Sequence, residues 1–125
     1  MNTDQPILII EDDDFLRSLT VTKLEKEGFK VDIAIDGLQG VAKIKEIKPS
    51  LILLDLMLPN LDGFGVLQQL QDENILEQQK VIIFSNLGSE EDIRRARGFA
   101  IEDYLVKSSF TLDELVEKIK ESLGM

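Results

Sequence analysis

Four acids in a row (Glu11, Asp12, Asp13 and Asp14), a later Asp55, a Ser85 and a Lys107 each stand at the end of a short apolar run, and together their types suit one chemistry. Carboxylates gathered without a counter-ion repel, and at least one would keep its proton near neutral pH. A divalent cation removes that conflict. Oxygen donors without imidazole or thiolate suit Mg2+, which takes one or two carboxylates, keeps several waters and commonly bridges to a phosphate. Mn2+ is the alternative. An Asp carboxylate can attack phosphorus to form an aspartyl phosphate, while a lysine and a hydroxyl offset charge on the equatorial oxygens of the loose transition state. Taken singly, each residue has a plainer reading. An acid after a strand is commonly a turn former or helix cap, Lys107 a solvated lysine, Ser85 a loop hydroxyl, and Tyr104 a half-buried aromatic on an edge strand. What makes them a candidate site is a shared location, and that depends on the elements that carry them.

Apolar runs of strand length fall at 7–10, 31–35, 51–54, 81–84 and 104–106, alternating with longer stretches of helical spacing. Helix starts are marked by Asp36, by Ser89 with Asp92 three positions on, and by Thr111 with Glu114 three positions on. The last two resemble capping boxes. Gly28 and Gly98 mark helix stops. In the final helix Leu112, Leu115, Val116, Ile119 and Leu123 recur at three- and four-residue steps, so one face is expected against a sheet. The run LILL at 51–54 is apolar on both faces, which predicts a strand covered from both sides. Repeated strand-helix crossovers predict an α/β fold: a doubly wound, five-stranded parallel sheet with helices on both faces. The polar stretch 68–80 reads as the end of the third helix and a solvated loop. In such a sheet ligands bind outside the carboxyl ends of the strands. Glu11, Asp55, Ser85 and Lys107 all fall there.

Composition narrows the classes. Lys plus Arg number 14 against 24 Asp plus Glu, a net charge of −10, which argues against nucleic-acid binding and against an anionic membrane surface. With no cysteine and no histidine, thiolate sites, zinc chemistry and imidazole bases are excluded. The start MNTDQP is not expected to be a targeting segment, and no apolar run approaches the roughly 18 residues of a membrane span. A cytoplasmic protein of one folded domain over residues 1–125 is expected.

These residues resemble those of response-regulator receiver domains, the phosphorylation switches of two-component signal transduction. The resemblance rests on ILIIEDDD at 7–14, DLMLPNLDG at 55–63, FS at 84–85 and DYLVK at 103–107, and it covers essentially the whole chain. It implies the flavodoxin-like strand order 2-1-3-4-5. It implies that Asp55 is the phosphoacceptor and a Mg2+ ligand, with Asp12 a direct ligand, Glu11 acting through a metal-bound water, and the Met57 backbone carbonyl a further ligand. Lys107 and Ser85 would pair with the phosphoryl oxygens, helped by the backbone amides of Met57 and Asn86, with Ser85 moving toward the site. Tyr104 would follow that movement. Asp13 and Asp14 are read as a solvated acid and a helix cap. The implied donor is a phosphohistidine on a sensor histidine kinase or phosphotransfer protein, so the chain is a phosphoacceptor that assists its own chemistry, not an enzyme. The implied readout face is the fourth helix, fifth strand and fifth helix, including Arg94, Arg95, Arg97 and Tyr104. It would contact an output protein, a covalently linked effector domain or, after phosphorylation, a second copy.

The chain departs from the common pattern at Asn86, at Ser108 where a proline is usual, and in FAIEDY at 99–104. Without proline a cis bond costs roughly 2.5–4 kcal/mol instead of about 0.5–1, so the Lys107-Ser108 bond is expected to be trans. The resemblance also implies that side chains at Met57 and Leu87 influence water's approach to the phosphoryl group, and both being apolar predicts slow self-dephosphorylation. Two other classes fit less well. A haloacid-dehalogenase-type phosphotransferase expects an acid two positions after its nucleophile, and Met57 stands there. A flavin binder needs a phosphate-cradling loop after the first strand, where EDDD would repel phosphate.

Overall fold

The computed structural model describes residues 5–125, so the part of the leader reading that falls on 1–4 lies outside the described residues. Five short strands, β1 (Ile7–Ile10), β2 (Val31–Ala34), β3 (Leu51–Leu54), β4 (Val81–Ser85) and β5 (Asp103–Val106), form one parallel sheet in the order β2-β1-β3-β4-β5. The helices between and after them are α1 (Asp14–Lys26), α2 (Gly37–Ile47), α3 (Gly63–Asp72), α4 (Glu90–Arg97) and α5 (Leu112–Ser122). This is the doubly wound arrangement expected.

Alternation along each strand decides which helix it meets, because successive side chains point to opposite faces. Leu8, Ile10, Ile52, Leu54, Val81 and Ile83 pack against Ile44 of α2, Leu67 and Leu70 of α3, and Ala96 of α4. Ile7, Ile9, Leu51, Leu53, Ile82 and Leu105 pack against Leu24 of α1 and Leu115, Val116 and Ile119 of α5. Two apolar layers thus sandwich the sheet. Fully burying one such aliphatic side chain is worth about 1.5–3 kcal/mol, which is why all-apolar runs as short as four residues hold the centre of the fold.

Helix starts follow the local chemistry. The side chains of Asp36, Asp62, Ser89 and Thr111 accept from backbone amides three positions on, at 2.7, 2.7, 3.1 and 3.1 Å. Only Thr111 forms the reciprocal box, with Glu114 reaching back to its amide at 2.9 Å. The carboxylate of Asp92 is one methylene shorter and accepts the Ser89 hydroxyl instead, at 2.8 Å. Gly28, at φ +93, ends α1 in the left-handed conformation glycine adopts freely.

Two local readings are corrected. β2 stops at Ala34, not Ile35, because the Ile35 amide turns to the Gln39 side chain at 2.9 Å. The polar 68–80 stretch is not all solvated loop: Leu76 is buried in a 3-10 turn over Leu76–Gln78. Among the described residues no helix is long and apolar enough to cross a membrane.

Candidate functional site

Strand register brings the chemical groups together. Ile10 pairs with Leu54 and Leu54 with Ile83, so Glu11 and Asp55, the next residues of adjacent strands, leave the sheet side by side. The Asp55 amide donates to the Ile10 carbonyl at 3.1 Å, extending that ladder by one bond. Ser85 ends β4 opposite Val106, and Lys107 follows directly on β5.

Glu11, Asp55 and Ser85 are buried, whereas Asp12 is exposed at the mouth. Buried polar groups need partners, and these have them. Asp55 Oδ1 accepts from the Ser85 hydroxyl at 2.7 Å and the Met57 amide at 3.1 Å. Asp55 Oδ2 accepts from the Lys107 ammonium at 2.9 Å, and the same ammonium donates to Glu11 Oε1 at 2.6 Å. Glu11 Oε2 accepts from the Asp13 amide at 3.1 Å. Burial raises the Glu11 carboxyl, and the Asp55 charge adds to that against the lowering bonds from Lys107 and Asp13. Burial works to lower Lys107, but its bonds to Glu11 and Asp55 outweigh it and hold the ammonium above its ordinary range. One oxygen from each of Glu11, Asp12 and Asp55 lies within 4.8 Å of the others, a hard oxygen set open to solvent on one side.

The segment after Asp55 is folded tightly against it. The Gly63 amide donates to the Leu56 carbonyl at 3.0 Å, and a Cβ at Gly63 would stand 2.5 Å from the Asp55 carbonyl oxygen. That close approach explains a glycine here. At the loop's far side Asn60 adopts φ +68 and donates to Asp36 Oδ2 at 2.8 Å, tying the loop to the start of α2.

Most of the expected groups meet. Lys107 reaches Asp55 through a trans Lys107-Ser108 bond, there being no cis bond among the described residues, so the contact forms without a proline. Two expectations are corrected. Asp13, not Asp14, caps α1, its side chain accepting from Leu16 at 2.8 Å, while Asp14 lies in the first turn and pairs with Arg17. The Ser85 hydroxyl stands within hydrogen-bond reach of Asp55, on the strand end where the phosphoryl group is expected. Tyr104 is not on the outer readout face: it is turned inward, 7% exposed, and donates to the Leu87 carbonyl at 2.5 Å. Its phenol is raised by burial and by the charges of Asp92 and Asp55. Of the three arginines expected on that face, Arg95 stacks over the Phe64 ring at 3.9 Å and Arg97 lies 3.8 Å from Asp103. Asn86 is exposed beside Ser85. Arg17 and Asn60, both bonded to the site's loops, were not singled out by sequence reading. A basic residue three positions after Asp14 and an Asn before Leu61-Asp62-Gly63 were the only signals.

Residues 7–120 match the family described as response regulator receiver domain, and the chain belongs to that family. It is 36% identical over 94% of its length to the DNA-binding dual master transcriptional regulator RpaA of Synechocystis sp., covering 48% of that protein. The chain therefore spans about half the length of the curated relatives it matches. A CheY-like response regulator receiver domain protein from Methanospirillum hungatei superposes with a TM-score of 0.87 at 31% identity, over 96% of this chain and 94% of that one. The receiver domain of sensor histidine kinase PA1611 from Pseudomonas aeruginosa, solved with a magnesium ion coordinated in its active site cleft, superposes with a TM-score of 0.85 at 25% identity, over 97% of this chain and 98% of that one.

Proposed function

We propose that residues 1–125 form one receiver domain and that Asp55 accepts a phosphoryl group from the phosphohistidine of a sensor histidine kinase or a phosphotransfer protein. The observation that carries this reading is the cage around Asp55: a hydroxyl, a backbone amide and an ammonium all bonded to one buried carboxylate beside a second one, Glu11. In the reaction an Asp55 oxygen attacks phosphorus, the O–P bond forms as the donor's N–P bond breaks, and the imidazole keeps that electron pair. Lys107, the Ser85 hydroxyl and the amides of Met57 and Asn86 then face the phosphoryl oxygens.

The donor set fits Mg2+, or Mn2+ in its place. Two buried carboxylates and one exposed one leave a side open for the waters that such an ion retains. Glu11, Asp12, Asp55 and the Met57 backbone carbonyl would hold it, and when bound it supplies positive charge beside the incoming oxygens. Magnesium in the cleft of the PA1611 receiver supports the same choice.

Phosphorylation adds about one further negative charge and three acceptor oxygens beside Ser85 and Lys107. It shifts an existing equilibrium by its differential stabilisation of two states, with Tyr104 as the aromatic that follows Ser85 beneath the surface, and the α4, β5 and α5 face is read by an output protein, a linked effector domain or a second copy. Nucleic-acid and membrane binding are not assigned to this domain, at a net charge of −10. A cytoplasmic location belongs to the same proposal. The chain assists its own phosphorylation and dephosphorylation, and the latter is slow because neither the Met57 nor the Leu87 side chain can hydrogen-bond an attacking water.

Incubation with acetyl phosphate and Mg2+, followed by intact-mass analysis, tests the reading. A single adduct that is stable in acid, lost in base and absent from Asp55→Asn is expected. No adduct on the unmodified protein, or the same adduct on Asp55→Asn, overturns it.

A further inference from the structure

We propose that Arg17 is a positioning residue for the acidic loop: it holds the Glu11-Asp12 peptide unit so that Asp12 presents its carboxylate to the cation. The inference rests on the Mg2+ reading above. Arg17 stands on the first turns of α1, its side chain only 13% exposed although it is a charged group next to a polar mouth. Its Nη1 donates to the backbone carbonyl of Glu11 at 3.0 Å, and its Nη2 donates to Asp14 Oδ1 at 2.5 Å. A guanidinium can serve two acceptors at once in fixed geometry.

The Glu11 carbonyl and the Asp12 amide belong to one planar peptide unit. Fixing that carbonyl therefore fixes where the Asp12 chain begins. On either side the loop is pinned: the Glu11 amide donates to Ala34 at 3.0 Å, the Asp13 amide to Glu11 Oε2 at 3.1 Å, and the Asp13 side chain accepts from Leu16. Asp12 hangs between these anchors. Arg17 is the side chain that holds the peptide joining Asp12 to Glu11, and without it that unit is free to turn.

Charge alone makes the opposite prediction, which separates the two roles. Removing a cation near three carboxylates strengthens their pull on Mg2+, whereas removing a brace weakens it. Groups that hold metal ligands in place typically cost about 10–100-fold in affinity when lost. Asp14 is 90% exposed, and an exposed ion pair contributes little, so the bond to Glu11 is the one that matters.

The test is titration with MgCl2, followed by the amide resonances of residues 11–14, on the unmodified protein, Arg17→Met, Arg17→Gln, Arg17→Lys and Asp14→Ala, with amide exchange at Asp12 and Asp13 measured without metal. Expected are affinities about tenfold weaker in Arg17→Met and Arg17→Gln, partial recovery in Arg17→Lys, a change within about twofold in Asp14→Ala, and faster metal-free exchange at Asp12 in the first two. Arg17→Gln, polar but too short to span to Glu11, carries the test should Arg17→Met not fold. Unchanged or tighter binding in a folded Met or Gln variant overturns the inference and leaves the Mg2+ reading intact. No binding by the unmodified protein overturns both.

Discussion

The Lys107 ammonium lies 2.6 Å from Glu11 and 2.9 Å from Asp55, so one cation is shared by two buried carboxylates from different strands. Lysine and metal are then alternative counter-charges for the same acids. Lys107→Met leaves both carboxylates without their cationic partner, Asp55 keeping only Ser85 and the Met57 amide and Glu11 the Asp13 amide, and breaking a buried pair from one side costs about 3–5 kcal/mol. The lower end is expected, because the Asp12 side is open to water. Mg2+ is expected to raise the Tm of Lys107→Met more than that of the unmodified protein, since binding stabilises the folded state that holds the ion. Equal shifts in the two proteins would show that lysine and metal do not share this duty.

The same ammonium sets a pH dependence. Its folded value lies above that of a free lysine, near 10.5, so its contribution is fully present below that value and is lost as pH rises through the raised folded value. Denaturant titrations across the alkaline range are expected to show a smaller loss in Lys107→Met than in the unmodified protein, the remainder coming from other raised groups such as Tyr104.

Gly63 separates tight packing from backbone freedom. A methyl there would stand 2.5 Å from the Asp55 carbonyl oxygen and 2.6 Å from the Leu56 Cα, and neither backbone atom can step aside without moving Asp55. Gly63→Ala is expected to lose about 1–3 kcal/mol and also to slow phosphorylation by acetyl phosphate. Gly28 has open space around it but φ +93, so Gly28→Ala is expected to cost stability alone. A Gly63→Ala protein phosphorylated at the unmodified rate would mean that Asp55 does not depend on this contact.

Tyr104 is the chain's single tyrosine, so its ionisation can be followed by ultraviolet absorbance without interference. Burial and the charges of Asp92 and Asp55 hold the phenol above its ordinary value of 10. Asp55→Asn is expected to bring the midpoint partway back, and Asp92→Asn likewise. The stability this group contributes is present below the unfolded phenol value and is lost as pH climbs toward the folded one. A midpoint at or below 10 in the folded protein would contradict the inward, bonded ring.

Much of this was legible in the residues themselves. LILL at 51–54 could be read as a doubly covered strand because only burial on both faces accommodates four consecutive large aliphatics, and Asp36, Ser89 and Thr111 announced helix starts because capping is a bond across three positions. The gathering of Glu11, Asp55, Ser85 and Lys107 followed from their common place at strand ends. The sequence reading places the cap at Asp14 instead of Asp13, since both have the right chemistry and only the geometry of the first turn aims one at the Leu16 amide. Nor could it turn Tyr104 inward, bring Asn60 to Asp36 across 24 positions, or show that Lys107 serves Glu11, 96 positions away, as closely as it serves Asp55. Periodicity and caps report interactions within a few residues, where chain geometry alone sets the distance. Partners from different elements are decided by how whole strands and helices pack, and that is a property of the assembled core.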